Sequence, residues 1–182
     1  EFTMLETYEA YADYRDVMKM VEEMVSTVCL KVLGTLKVEY NGQVLDFTPP
    51  WKRLELRQAV IRYAGLDYDQ FPDTESLKAE MLRRGMQFDP CKERGKLIDE
   101  LVSTFVDPQM VQPTILYDYP IELSPLAKKK PGSETVVERF EAYAGGMEIA
   151  NAFTELNDPF DQRQRFEKQM EQRAKGDEEA QK

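Results

Sequence analysis

Histidine is absent from this chain of 182 residues, which excludes imidazole activation of a nucleophile and histidine metal ligands within it. The two cysteines, Cys29 and Cys91, lie far apart in the sequence and form no zinc-binding pattern, so we expect reduced thiols and a cytoplasmic protein. No apolar run approaches the roughly 18 residues of a membrane helix, and we expect no membrane partner. The remaining chemistry is that of carboxylates, backbone groups and phosphate binding.

Glycine-rich phosphate-binding loops are missing as well. Neither G-x-x-x-x-G-K-[ST] nor G-x-G-x-x-G occurs, which excludes P-loop and dinucleotide-fold chemistry. The formal net charge of -10 argues against nucleic-acid binding by this chain alone, because phosphate contacts require Lys and Arg.

The pattern of apolar residues and turn signals predicts an α+β fold of antiparallel strands backed by helices. Residues 13–33 are expected to form a long helix that ends at Gly34, and Asn41-Gly42 predicts a tight hairpin between strands at 36–40 and 44–47. The apolar stripe predicted for the long helix consists of Val17, Val21, Met24, Val28 and Val32. Further strands are expected at 1–8 and 113–117, and further helices at 56–63, 74–84, 96–106 and 159–175, the last packing through Phe166, Met170 and Ala174.

A second hairpin carries the most informative pattern, R-F-E-A-Y-A-G-G-M-E-I-A-N-A-F-T-E-L-N-D over residues 139–158. Folding about Gly145-Gly146 places Tyr143 opposite Glu148 and Glu141 opposite Ala150, so the two glutamates become diagonal neighbours on one face. Two such carboxylates repel unless a cation lies between them, and magnesium suits an oxygen-only pair. Two glutamates that merely face water are the alternative.

The same segment resembles the class II lysyl-tRNA synthetases, through G-G-x-E-I-x-N-x-F-[ST]-E-L-N-D and the D-Q-R-x-R-F that follows. The opening E-F-T-M-L-E-T-Y-E-A-Y-A-D-Y resembles the second half of motif 2 of that family. D-F-T-P-P-W-K-R-L, R-G-K-L-I-D-E-L, V-Q-P-T-I-L-Y-D-Y-P and E-L-S-P-L-A-K follow in the family's order. The resemblance covers residues 1 to about 180 and implies the antiparallel sheet of the class II catalytic domain, with a small helical insertion at 65–91.

The resemblance also implies roles for individual residues. ATP would be bound by Phe2, which would stack on adenine, and by Glu141 and Glu148, which would hold Mg2+ against the phosphates. The lysine pocket would be lined by Glu6, Tyr8, Asn151, Phe153 and Glu155. Implied partners are ATP, L-lysine and tRNA(Lys), with a homodimeric parent enzyme.

Strand alternation raises a difficulty for this pocket. In a regular strand Glu148 lies on the face opposite Asn151, Phe153 and Glu155, because the offsets are odd. If all four side chains reach one pocket, the strand needs a bulge near Ile149 or Ala150, or the pocket must wrap around the strand end.

The resemblance begins within motif 2 and stops before motif 3, so residues 1–182 are expected to be part of a catalytic domain, without the family's two catalytic arginines and inactive alone. Two alternatives stay open. One is a related lysine-activating enzyme that modifies a protein rather than tRNA, and the other is a non-catalytic core that serves as a structural or binding module.

Overall fold

The computed structural model describes residues 3–174 of the chain, with a mixed sheet that is covered on both faces. The helices are α1 Tyr14–Leu33, α2 Leu56–Ala64, α3 Thr74–Arg83, α4 Arg94–Leu101 and α5 Pro159–Ala174. The strands are β1 Lys37–Tyr40, β2 Gln43–Asp46, β3 Lys52–Glu55, β4 Thr114–Pro120, β5 Val136–Ala144 and β6 Met147–Phe153. The predicted α+β class is confirmed.

Four strands form the main sheet in the order β3-β4-β5-β6. β3 runs parallel to β4, and the other neighbouring strands are antiparallel. One face packs against α1 and the β1–β2 hairpin, through residues such as Phe140 and Ala142. The opposite face packs against α2, α3 and α4, through residues such as Leu116, Val137 and Tyr143. The sheet therefore separates two hydrophobic cores.

The turn and helix ends that were predicted from local sequence signals are confirmed. Asn41 and Gly42 both have positive φ values between β1 and β2, as a tight hairpin turn requires. Helix α1 begins after a capping box in which Asp13 accepts from the backbone of Arg15 and Asp16, and it ends at Gly34 in the left-handed conformation. The helices predicted near 56–63, 74–84 and 96–106 are also present, the last as α4 and a π-helical turn at Val102–Val106.

The buried face of α1 differs from the predicted stripe. Val28 and Val32 are 54% and 73% exposed, whereas the buried residues are Tyr14, Met18, Val21, Glu22, Ser26 and Cys29. Polar residues can lie on this face because each finds a partner. The Tyr14 hydroxyl donates to Asp118 at 2.8 Å, and the Ser26 hydroxyl donates to the Phe47 carbonyl at 2.9 Å. These partners come from distant segments, which hydrophobic periodicity cannot foresee.

The strand predicted at 1–8 is wrong for the residues that the structure describes. Residues 3–9 form no helix or strand, and every side chain from residue 3 to residue 10 is exposed. A strand requires a neighbouring backbone to complete its hydrogen bonds, and none is provided within residues 3–174. Strand β3 was not predicted, because its four residues pair only on one side, with β4.

Helix α5 packs through an arginine rather than through the predicted Phe166, Met170 and Ala174. Phe166 is half-buried and Met170 is 61% exposed, while the side chain of Ala174 lies outside the described part. Arg165 is buried between Asp161 on its own helix, at 2.7 Å, and the Ala127 carbonyl, to which it donates at 2.6 Å. None of the helices in residues 3–174 is long and apolar enough to cross a membrane.

Candidate functional site

The β5–β6 hairpin contains a register shift at Ile149. Tyr143 pairs with Glu148, as predicted, but Ala142 pairs with Ala150, so Ile149 has no partner on β5. Glu141 consequently pairs with Asn151, and the predicted pairing with Ala150 is wrong. The bulge near Ile149 that was one of the two predicted ways to form a common pocket is therefore present in β6.

The bulge gathers polar side chains from both strands on one face, which we call the hairpin face. It consists of Arg139, Glu141, Tyr143, Glu148, Asn151 and Phe153, which form three cross-strand pairs. The β5 members are mostly buried, with exposed side-chain fractions of 16% for Arg139 and 10% for Glu141. On β6, by contrast, Glu148 and Asn151 are exposed and Phe153 is half-buried. The polar side chains of the hairpin face are thus mostly buried on β5 and accessible to solvent on β6.

The turn of the hairpin is held by hydrogen bonds to the segment that precedes β4. Gly145 and Gly146 both have positive φ values, and their amides donate to the carbonyls of Val111 and Met110 at 2.8 and 3.1 Å. At the other end, Glu155 pairs with Ala127 in an isolated bridge, and Thr154 accepts from the Tyr14 amide on the α1 side at 3.0 Å. Because neighbouring residues of an extended chain point to opposite sides, Glu155 belongs on the side of the hairpin face.

Both carboxylate oxygens of Glu141 accept hydrogen bonds from the hairpin face itself. Arg139 donates through Nη2 to one oxygen at 2.6 Å, and the Tyr143 hydroxyl donates to the other at 2.6 Å. Burial first, and then the charge of Glu141, raise the pKa of Tyr143, so this phenol remains a donor. Glu141 is thereby held as an oriented carboxylate in a mostly buried position.

Glu148 carries the second predicted carboxylate. Desolvation of its carboxyl group against the hairpin raises its pKa, although much of the residue is exposed, and the negative charge of Glu141 adds to this. The positive charge of Arg139 acts in the opposite direction. The two predicted metal ligands therefore repel each other electrostatically, with Arg139 compensating in part.

Asp107 is a third carboxyl near this site that sequence reasoning missed. Burial raises the pKa of Asp107 to about 6, and the charge of Glu141 contributes to that rise. Its Oδ1 atom is buried without a hydrogen-bond partner in the described chain, as is the hydroxyl of Tyr119. No local pattern marks Asp107, because it reaches the hairpin only through the docking of the turn on residues 110–111.

Arg139 was part of the quoted motif but was given no role. Its position two residues before Glu141 was the available signal, since alternate residues of a strand share a face.

Glu6 and Tyr8, the predicted site residues near the start of the described chain, show no contact with the hairpin face. Phe2 lies outside the described residues. Glu6 is exposed, Tyr8 is 84% exposed, and neither makes a hydrogen bond or ion pair within residues 3–174. The hairpin face thus contains four of the predicted site residues, Glu141, Glu148, Asn151 and Phe153, with Glu155 beside them.

The donor set of the hairpin face suits only some metal ions. Within residues 3–174 no group of three or more Asp, Glu, Cys or His side chains is close enough to hold a metal. The two carboxylates of the hairpin face, Glu141 and Glu148, are acidic oxygen donors without sulfur or nitrogen. They fit a hard cation such as Mg2+, which binds through one or two carboxylates and takes its other ligands from water and phosphate.

Comparison with known proteins decides the family. The model for class II tRNA synthetases (D, K and N) matches residues 1–182. The chain belongs to the class II tRNA synthetases. Among class II relatives, the lysine–tRNA ligase of Dehalococcoides mccartyi (strain ATCC BAA-2266 / KCTC 15142 / 195) is 56% identical over 173 residues, covering 95% of this chain and 35% of its own length. That of Moorella thermoacetica (strain ATCC 39073 / JCM 9320) is 51% identical over 180 residues, covering 99% and 37%.

These alignments cover the class II chain almost completely but the relatives only in part. The chain spans about a third of the length of the curated lysine–tRNA ligases that it matches. The α+β sheet and its flanking helices accordingly represent a portion of a class II synthetase fold.

The raised pKa of Asp107 predicts a pH-dependent stability. A carboxyl group with a native pKa of about 6 binds its proton more tightly in the folded state than in the unfolded state. The contribution of Asp107 to the unfolding free energy therefore falls as pH rises from about 4 to 6. Asp107→Asn should match the wild type at pH 4 and exceed it at pH 7 by about 1–2 kcal/mol, allowing for partial exposure.

Urea unfolding in EDTA at four pH values from 4 to 7 measures this difference. Glu167→Gln, an exposed carboxylate on α5, is the control and should show no such trend. Parallel pH profiles for Asp107→Asn and the wild type would contradict the interpretation of Asp107.

Proposed function

We propose that this chain forms part of the amino-acid-activating site of a lysine–tRNA ligase, with the hairpin face as the place where lysine and ATP meet. The supporting observation is the bulge at Ile149, which places Glu141, Glu148 and Asn151 on one face of a chain that is 44–56% identical to lysine–tRNA ligases. Asn151 then lies beside the two carboxylates rather than on the opposite face of the sheet.

The proposed reaction has two steps. The lysine carboxylate attacks the α-phosphorus of ATP, the bond to the β-phosphate breaks, and pyrophosphate leaves to give lysyl-adenylate. A terminal hydroxyl of tRNA(Lys) then attacks the activated carbonyl carbon, and AMP leaves. Such chemistry depends on positioning and charge neutralisation, so it requires no protein nucleophile. A chain without histidine is compatible with that requirement.

In this proposal Glu141 and Glu148 hold Mg2+, which would offset the negative charge of the ATP phosphates. Arg139 and Tyr143 orient Glu141 through its two oxygens, so this ligand needs little reorganisation when ATP arrives. Phe2 would stack on adenine.

The lysine substrate would lie between Asn151, Phe153 and Glu155, with Glu6 and Tyr8 closing the pocket. Asn151 offers amide hydrogens, Phe153 covers the aliphatic chain, and a carboxylate pairs with the ε-ammonium, since a buried unpaired cation costs several kcal/mol, on the order of 3–5. The proposal requires Glu6 and Tyr8 to approach the hairpin face in the substrate complex.

The proposal extends to the whole protein. Residues 1–182 would belong to the catalytic domain, with 65–91 as a helical insertion that packs through Leu66, Leu77 and Met81 on the core shared with α2 and α4. The enzyme would act as a cytoplasmic homodimer on tRNA(Lys), ATP and L-lysine.

ATP–pyrophosphate exchange by the full-length protein tests the proposal. The matching family activates aspartate, lysine or asparagine, as its name states, so all three amino acids should be compared. We expect exchange with lysine and none with aspartate or asparagine. A site that offers carboxylates to an ammonium group repels the aspartate side chain, and the neutral asparagine side chain leaves those carboxylates unpaired. Exchange with either of the other two would overturn the assignment to lysine.

Glu148 provides a test of the metal assignment. Glu148→Gln in the full-length enzyme should lower the rate of exchange at least about a hundredfold, as expected for loss of one preorganised electrostatic contact, while the fold survives a nearly isosteric change. Glu167→Gln serves as the control and should exchange normally. A normal rate for Glu148→Gln at saturating Mg2+ would show that Glu148 is an ordinary surface glutamate.

Glu155 and Glu6 are the two candidates for the ε-ammonium partner. A site built around a charged group rejects an analogue that lacks it by roughly 10⁴ to 10⁵, whereas one missing methylene is worth about 1–3 kcal/mol. The enzyme should therefore refuse norleucine and accept ornithine measurably better.

Glu155→Gln should erode this discrimination and raise the lysine concentration required for exchange, with less effect on ATP. If Glu155→Gln keeps the lysine affinity of the wild type while Glu6→Gln loses it, the ammonium partner is Glu6.

A further inference from the structure

Arg139 forms four hydrogen bonds within and beside the hairpin face, although the proposed reaction gives it no direct role. Its Nη2 donates to Glu141 Oε1 at 2.6 Å, and its Nε donates to Asn151 Oδ1 at 3.2 Å. Nη1 donates to the Leu123 carbonyl at 2.6 Å and to the Ser124 hydroxyl at 3.0 Å. One guanidinium group thus joins a side chain from β5, a side chain from β6 and the loop that follows β4.

The planar face of this guanidinium group also stacks on an aromatic ring. Its central carbon lies 4.7 Å from the centroid of the Tyr119 ring on β4. A cation over an aromatic face gains electrostatic attraction, and only a planar guanidinium can stack there while all three nitrogens donate in its plane. Lysine has a single compact ammonium group and cannot reproduce this arrangement.

These contacts determine how two other side chains are presented. Glu141 is held through one oxygen by Arg139 and through the other by Tyr143, which fixes the rotation of its carboxylate while leaving lone pairs on both oxygens. Asn151 directs its amide oxygen towards Arg139, so its NH2 group remains available to donate to an acceptor such as a carboxylate. Arg139 therefore acts on a metal ligand and on an amino-acid ligand of the proposed site.

We propose that Arg139 is the positioning residue shared by the two ligand sites of the hairpin face, orienting Glu141 for the divalent cation and Asn151 for the amino acid. The inference rests on the proposed function, because it takes Glu141 and Asn151 as ligands of metal and lysine. In this proposal Arg139 itself contacts neither the cation nor the amino acid. Its loss should weaken both sites together, whereas a residue that served only one of them would weaken only that one.

Arg139→Lys in the full-length protein tests the proposed positioning role. The substitution keeps the positive charge but removes the planar guanidinium group that donates several hydrogen bonds at once. Two affinities are measured apart from turnover. Mn2+ binding is followed by the EPR signal of free Mn2+ in the presence of a non-hydrolysable ATP analogue, and lysine binding by calorimetry in EDTA. We expect each to fall by about tenfold or more, as for loss of a charge-assisted hydrogen bond.

A third readout separates positioning from general damage. ATP binding in EDTA depends on adenine contacts that Arg139 does not make, so Arg139→Lys should leave it within about twofold, while misfolding would lower all three affinities. Arg57→Lys is the matched control. Arg57 also forms a bidentate pair, with two hydrogen bonds of 2.8 Å to Asp67, but it has no hydrogen bond to a residue of the hairpin face. It should change none of the three affinities.

Ser124→Ala provides a milder second variant if Arg139→Lys does not fold. It removes one anchor of Arg139 and touches neither Glu141 nor Asn151, so both the Mn2+ and lysine affinities should fall by a similar factor of a few. Unchanged affinities, or loss of only one of them, in the folded variant would overturn the proposal.

The wild-type protein separates this inference from the proposed function. If it fails to bind lysine or to exchange pyrophosphate, the proposed function and the role of Arg139 fall together. If it does both and the variants behave as the wild type, only the role of Arg139 is overturned.

Discussion

A single unpaired residue in β6 decides what the hairpin presents on each side of the sheet. With Ile149 outside the ladder, Ala150 and Ala152 turn towards α1 and pack beside Phe140, where small side chains fit beneath a helix. Asn151 and Phe153 turn to the other side and join Glu148. A regular ladder would reverse these placements, burying an amide and a phenylalanine under α1 and exposing two alanines. Packing on one face and polar chemistry on the other thus depend on the same bulge.

The hairpin face keeps two carboxylates, Glu141 and Glu148, close together although one of them is mostly buried. Glu141 is stabilised by Arg139 and by the Tyr143 hydroxyl at 2.6 Å each, so its charge does not need an external cation for the chain to fold. Glu148 lacks such partners in the described chain, and its pKa is raised by partial desolvation and by Glu141. In the proposed function, the negative charge of these two carboxylates would attract the cation that accompanies ATP.

Sequence reasoning succeeded where structure is encoded locally. Asn41-Gly42 and Gly145-Gly146 specify their turns by backbone freedom, and Asp13 and Gly34 specify the ends of α1 by capping. Strand alternation also revealed the conflict between Glu148 and Asn151, and a bulge near Ile149 was one of the two arrangements expected to resolve it.

The errors concern contacts between distant segments. The buried face of α1 depends on Asp118 and Phe47, and the burial of Arg165 depends on the Ala127 carbonyl. The hydrogen bonds of Arg139 to Asn151 and to the segment after β4, and the nearby position of Asp107, form only when β4, β5 and β6 are assembled.

The most direct test of that assembly is the pairing in β5–β6, read from cross-strand NOEs of the isotopically labelled chain. We expect NOEs that pair Glu141 with Asn151 and Tyr143 with Glu148. NOEs that pair Glu141 with Ala150 would show a regular ladder and contradict the hairpin face described above.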